Sequence, residues 1–204
     1  MEKQITTQTK IIAGIDYSMT SPGICIHIGD TWDISNCQFK YLTSKKKLVG
    51  SFGYGAFSNR SRFVEIKGDP MPLYKNQEDR FDLISEWAVD NLRYGLEYPD
   101  ETYIESYSFA SIGRAFSIGE NTGLLKHKLW TLDMNYVIVP PTVIKKYATG
   151  KGNANKEAIE ECFLTETRVD IRSLLGQSDK SNNPSGDLID AYYICKYGFN
   201  FTGV

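Results

Sequence analysis

Residues 11–16 read Ile-Ile-Ala-Gly-Ile-Asp, an unbroken apolar run that ends on a carboxylate. A run this short and this continuous leaves no polar face for water. It predicts a strand in the middle of a sheet, with both faces covered. It also sets a chemical problem, because a charge at the end of a buried strand is costly unless something pairs with it. The rest of the chain must supply two covering layers and a partner for Asp16.

The segments that follow can supply both. Pro22-Gly23 breaks the chain, and Ile24 to Ile28 predicts a second strand. Gly29-Asp30 turns it towards a third over 36–42, which makes an antiparallel meander. Residues 43–76 carry scattered glycines, prolines and aromatics and read as a long loop or hairpin arm. Beyond them the period changes. Phe81, Ile84, Trp87, Ala88 and Leu92 recur at helical spacing over 77–92. Thr102 to Glu105 predicts a short strand, and 117–134 a helix with Leu124, Leu125, Leu129 and Leu132 on its apolar side. Asn135 to Val139 predicts another strand, closed by Pro140-Pro141. Short helices are expected at 142–148 and 156–164, and a last one at 187–199 with Leu188, Ala191, Tyr192, Cys195 and Phe199 on one stripe. The order β-β-β-α-β-α-β-α-α predicts an α/β fold: a mixed sheet, with a three-strand antiparallel meander and parallel strands, covered by helices on both faces. The 204 residues suit one domain over 10–204, after a flexible tail at 1–9.

The acids then fall into a pattern. Asp16 ends the first strand, and Glu105 ends the fourth. Asp187 and Asp190 stand three apart at the start of the last helix, so they share a face. If the first and fourth strands are neighbours and that helix crosses their ends, four carboxylates converge. Such an oxygen set suits a hard cation, Mg²⁺ or Mn²⁺. Each acid also has a plain structural reading, such as a favourable charge at a helix N-terminus for Asp187.

Composition matters mainly through how charge is sorted. Lys and Arg number 23 against 25 Asp and Glu, a net charge of −2, so no general basic coat exists. Yet 140–156 holds four lysines (145, 146, 151, 156) and no acid, and 40–67 holds seven basic residues and one acid. By contrast, 77–105 holds nine acids and two arginines. Local Lys clusters of this kind are the footprint of a phosphate backbone. No CxxC pair occurs among the four cysteines and only two histidines exist, so a zinc site is not expected. No apolar run is long enough for a membrane helix, and Met1–Lys10 is polar, so a cytoplasmic protein with no membrane partner is expected.

Several of these stretches resemble the RuvC-type Holliday junction resolvases. Gly14-Ile15-Asp16-Tyr17-Ser18 with Pro22-Gly23 is similar to their opening, and Ile104-Glu105 to their second acidic motif. Ser117 to Gly123 resembles the glycine-bearing helix start that follows. Val139-Pro140-Pro141-Thr142-Val143-Ile144-Lys145-Lys146, continuing through Gly150, Gly152 and Lys156, resembles a P-x-x-V/I-K…G-x-G…K pattern. Asp187-Leu188-Ile189-Asp190-Ala191 resembles the terminal D-x-x-D-A. The resemblance implies a ribonuclease H-like fold, a homodimer, and magnesium-dependent paired nicking of four-way DNA junctions. Manganese would substitute, and two ions per site are implied. By position, Asp16, Glu105, Asp187 and Asp190 would hold metal, and Lys145 and Lys156 would lie near the scissile phosphate. The 117–134 helix is the candidate dimer surface. A junction-probing aromatic follows the second acid in some relatives; here Tyr107 and Phe109 bracket Ser108 at that place. Tyr17 stands where bacterial members commonly have proline, and the 43–76 segment is longer than their connection. These departures fit a divergent, phage-encoded member in a host cytoplasm, for which the bacterial helicase partner is not assumed.

Other readings remain open on sequence. The same carboxylates would serve a ribonuclease H-fold nuclease cutting other branched DNA, flaps or RNA–DNA hybrids. A non-catalytic junction-binding module is a third possibility. Gly14-Ile15-Asp16-x-Ser18-x-Thr20 also resembles the first phosphate loop of sugar kinases and actin-like ATPases, but those need two duplicated domains and a second phosphate loop.

Overall fold

The computed structural model describes residues 9–54, 64–106, 115–177 and 181–201. The strands are β1 (Ile11–Asp16), β2 (Gly23–Ile28), β3 (Cys37–Thr43), β4 (Gly50–Tyr54), β5 (Val64–Pro70), β6 (Glu101–Glu105) and β7 (Tyr136–Val139). The helices are α1 (Gln77–Asn91), α2 (Ala115–Thr131), α3 (Pro141–Thr149), α4 (Lys156–Thr167), the single turn α5 (Ile171–Leu174) and α6 (Ser185–Phe201). All seven strands form one mixed sheet in the order β4-β5-β3-β2-β1-β6-β7.

β1 to β3 are the antiparallel meander, with Asp16 opposite Gly23. β6 pairs parallel to β1 on its other side, and β7 parallel to β6. β1 therefore lies inside the sheet, as its apolar run requires. Within the 43–76 segment, β4 and β5 form a hairpin, and β5 runs parallel to β3. That stretch belongs to the sheet. Val64 and Ile66 are buried while Glu65 and Lys67 are exposed, which is the period of a strand with one covered face. Residues 55–63, with Arg60 and Arg62, lie outside the described residues, as do residues 1–8 of the expected tail.

Two cores lie on opposite faces. On one face Ile11, Ala13 and Ile15 of β1 pack with Ile104 of β6 under α1 and α2, through Ile84, Ala88, Leu125 and Leu129. On the other, Ile12 of β1 and Tyr103 of β6 pack under α6, with α3, α4 and α5 adding Ile144, Ile159, Phe163 and Ile171. The two-residue alternation of a strand then decides where the acids go. Asp16 follows the Ile12–Gly14 side, and Glu105 the Tyr103 side. Both belong to the face that α6 covers.

Some elements differ from the sequence expectation. On α2, Leu125 and Leu129 are buried, but Leu124 is half-buried and Leu132 is 46 % exposed. The helix ends at Thr131, so Leu132 lies past its last turn. α6 is buried well beyond a single stripe, with Ile189, Tyr193 and Ile194 also covered. The reason is that α3 and α4 cover its outer side; Phe163 of α4 sets its ring edge-on to Tyr192 at 4.9 Å. All four cysteines are free thiols; Cys25, Cys37 and Cys195 are buried.

Candidate active site

The site forms where β1 and β6 end beneath the start of α6. Two glycines allow the close approach. A Cβ on Gly14 would lie 2.2 Å from the Cys195 backbone nitrogen and 2.5 Å from the Ala191 carbonyl oxygen. A Cβ on Gly23, opposite Asp16, would lie 2.9 Å from the Asp187 carbonyl oxygen. Backbone thus sits against backbone, and the first turn of α6 meets the end of β1. The Asn183–Pro184 bond leading into α6 is cis.

All six residues singled out from the sequence line one open cleft of about 550 Å³: Asp16, Glu105, Asp187, Asp190, Lys145 and Lys156. Lys145 comes from α3, started by a proline and closed by Gly150 in the left-handed region (φ 79°). Lys156 is the first residue of α4, whose cap is Asn155; its side chain accepts from the Ala158 backbone N–H at 3.0 Å.

The acids feel one another. Burial first, then the carboxylates of Asp187, Asp190 and Glu105, hold Asp16 well above the ordinary carboxylate range, with Lys156 opposing. Burial, then Asp190, pushes Glu105 up to about 7 against the pull of Lys145 and Lys156. Burial also pushes Asp187 up to about 7, although the Ser21 hydroxyl, Lys156 and Lys45 favour its charged form. Burial raises Asp190, again against Lys156 and Lys145. Four carboxylates that raise one another's pKa values, with two lysines beside them, form a site that needs more positive charge.

The donors fit a hard divalent cation: they are all oxygen, mutually repulsive and short of positive charge. Asp187, 3 % exposed, leaves its Oδ2 buried without a hydrogen-bond partner. Among the described residues no three His, Cys, Asp or Glu side chains stand close enough together to hold an ion as they are.

Sequence reasoning missed some neighbours. Ser21 leans on Asp187, yet its Oγ completes no hydrogen bond of good geometry. Lys45 reaches Asp187 electrostatically from the segment read as an arm. The only signal for Lys45 was its place in a Lys-Lys-Lys run. Tyr17, next to Asp16, turns into the core under α1 and α2 and is 8 % exposed. Arg80 of α1 donates to the Met19 carbonyl and so braces the loop after β1. Tyr107, Ser108 and Phe109, considered for probing a junction, lie outside the described residues.

A central mixed sheet with an antiparallel meander, parallel strands beside it and helices on both faces is a ribonuclease H-like fold. More narrowly, the fold is RuvC-like. The chain is similar to a Thermus thermophilus RuvC structure at 18 % identity and TM-score 0.51, over 93 % of each chain. It is similar also to T. thermophilus RuvC in complex with Holliday junction substrate, at 16 % identity and TM-score 0.51, again over 93 % of each chain. No protein-family model and no curated protein sequence matches.

Proposed function

We propose that this protein is a metal-dependent endonuclease that resolves four-way DNA junctions by paired nicks. One observation carries the reading: four mutually repelling carboxylates and two lysines line a single cleft at the end of a RuvC-like sheet. A RuvC in complex with junction DNA has this fold at low identity, which supports branched DNA as the substrate class.

Asp16, Glu105, Asp187 and Asp190 would hold two Mg²⁺ ions, with Mn²⁺ as a substitute. When bound, such ions activate water and neutralise the departing oxygen in phosphodiester hydrolysis. The chain's own part is to position and balance charge. Asp16 lies at the junction of the set, since all three other acids act on it. Lys156 opposes the raised pKa of every one of the four, and Lys145 that of Glu105 and Asp190. Both ammonium groups would offset charge that builds on the scissile phosphate. The cleft is open, as a site that takes a strand of a branched polymer must be.

Paired nicks need two sites, so a homodimer belongs to this reading. α2 offers the surface, with Phe116 86 % and Trp130 71 % exposed. Residues 10–204 would form the nuclease domain. No helix among the described residues is long and apolar enough to cross a membrane.

The test is cleavage of a labelled four-way junction, a flap, a linear duplex and an RNA–DNA hybrid, each with Mg²⁺, Mn²⁺ or chelator. Symmetric, metal-dependent nicks in the junction are expected. Preference for flaps or hybrids would move the function to another nuclease of this fold. Tight junction binding without cleavage of anything would leave a binding module and overturn the catalytic reading.

A further inference from the structure

A second pocket adjoins the carboxylate cleft and has the opposite chemistry. It is about 400 Å³ and brings together Thr20 and Ser21 after β1, Thr43 and Lys45 after β3, and Ser181 and Asn183 before α6. Thr20 and Asn183 line both cavities, so the two are neighbours. Among the described residues the pocket lining holds hydroxyls, amides and one ammonium group, with no carboxylate and no apolar side chain. The first cavity is lined by carboxylates, and the second is not.

Two observations point to a ligand. Ser21 is 7 % exposed and lines the pocket, and its Oγ, which leans on Asp187, completes no hydrogen bond. A buried hydroxyl without a partner is a cost that a bound oxyanion would remove. Lys45 is exposed, and its Nζ donates to the Ser181 hydroxyl and to the Asn183 carbonyl, the latter at 3.0 Å. An ammonium has three donors, and these contacts use two.

We infer that this pocket is a second phosphate subsite, in which Lys45, Ser21 and Thr43 take a backbone phosphodiester next to the one cut in the carboxylate cleft. The inference rests on the nuclease reading above and names how the substrate strand is held there. A strand crossing such a site would be gripped by its uncut phosphate on one side while the scissile phosphate meets the acids on the other. Lys45 lies in the stretch between β3 and β4, so the segment that widens the sheet also carries the grip.

The experiment measures binding in the Asp16→Asn background, so that no substrate is consumed. Affinity for the labelled four-way junction is followed across a salt series. Removing one phosphate contact should flatten the log–log salt slope by about 0.7–0.9. Lys45→Ala is expected to show that change with a three- to tenfold loss of affinity, and Lys45→Arg to restore most of it. Lys196→Ala, which removes a charge ion-paired to Glu166, supplies the comparison outside the pocket. A methylphosphonate scan of the strand adds a positional readout. One neutral linkage beside the cleavage point should weaken the Asp16→Asn protein but leave the Lys45→Ala double variant unmoved.

An unchanged salt slope in Lys45→Ala, with no linkage that distinguishes the two proteins, overturns the subsite. So does a fall in kcat alone when Lys45→Ala is made in the active protein, because that is the mark of a lysine that only braces the loop before Asp187. Cleavage by the unaltered protein separates the two readings. If it cleaves and the slope is unchanged, only the subsite fails; if it neither binds nor cleaves any substrate, both fail.

Discussion

Gly14 and Cys195 are so close that a methyl group on the glycine would sit 2.2 Å from the cysteine's backbone nitrogen. The obstacle is backbone on both sides, so no side chain can swing away. Gly14→Ala must push α6 off β1, and overpacking of this kind costs about 1–3 kcal/mol or more. Since α6 carries Asp187 and Asp190, the displacement also moves half the carboxylates. We expect a lower midpoint in denaturant melts and a loss of cleavage larger than the fraction unfolded accounts for.

The acids should make the metal-free protein less stable at neutral pH than in mild acid. Glu105 and Asp187 are pushed up to about 7 from ordinary values of 4.5 and 3.8. Their folded pKa values lie above the unfolded ones, so the folded state binds more protons between about pH 4 and 7. The stability this contributes is full below about 4 and is lost as pH rises to about 7. In chelator, Asp187→Asn should raise stability at pH 7.5 by about 1–2 kcal/mol and flatten the profile. Mg²⁺ should stabilise the unaltered protein more than the variant in thermal melts.

His27 works in the opposite direction over much of the same range. It is fully buried, lies 4.6 Å from the stacked Trp32 ring, and has its Nε2 3.0 Å from the Thr31 carbonyl oxygen. That carbonyl can only accept, so Nε2 carries the proton and Nδ1 is left buried without a partner. Burial pulls the ring down to about 4 from 6.5. The unfolded chain therefore binds the extra proton first, and stability falls as pH drops from about 6.5 to 4. The loss is at most a few kcal/mol, at about 1.4 kcal/mol per pKa unit. His27→Phe should remove this acid limb in a melt series, leaving only the gain from the carboxylates.

Asp16→Asn should abolish cleavage while junction binding persists, because the substitution keeps shape and removes the charge on which the other acids converge. Loss of binding in a gel-shift assay would count against a purely catalytic role. Lys145→Ala with Lys156→Ala should slow single-turnover cleavage by on the order of 100-fold or more, the scale seen when a preorganised charge-stabilising group is removed. Their effect on affinity should be smaller. Lys156→Ala alone should shift the carboxylate titration upward further than Lys145→Ala, since Lys156 acts on all four acids.

The sequence carried much of the site because periodicity is geometry. Asp16 and Glu105 end strands whose alternation puts them on one face, and the three-residue spacing of Asp187 and Asp190 puts them on one side of a helix. Gly14 inside an apolar strand was a readable sign of close backbone approach. The sheet beyond β3 was harder to read. Gly50-Ser51-Phe52-Gly53-Tyr54 has no β-branched residue, and the four-residue alternation of Val64 to Lys67 sits among glycines and prolines. Leu132 misled because helical spacing says nothing about where a helix stops. Ser21 was beyond reach, and Lys45 showed only as one of a basic run, because their role depends on which loops meet, and loop contacts leave no period.

The β4–β5 hairpin bears on any attempt to trim this protein to a minimal domain. The Tyr41 hydroxyl donates to the Leu48 carbonyl at 2.5 Å, and Gly68 passes so near that a Cβ would meet both residues. Phe39 and Tyr41 are fully covered. A shortened chain lacking 44–70 would leave β3 as a bare, aromatic-rich border, ready to pair with any other extended chain. What reads in sequence as a loose arm is mechanically a hem: cut away, it would let the sheet unravel or stick to its neighbours.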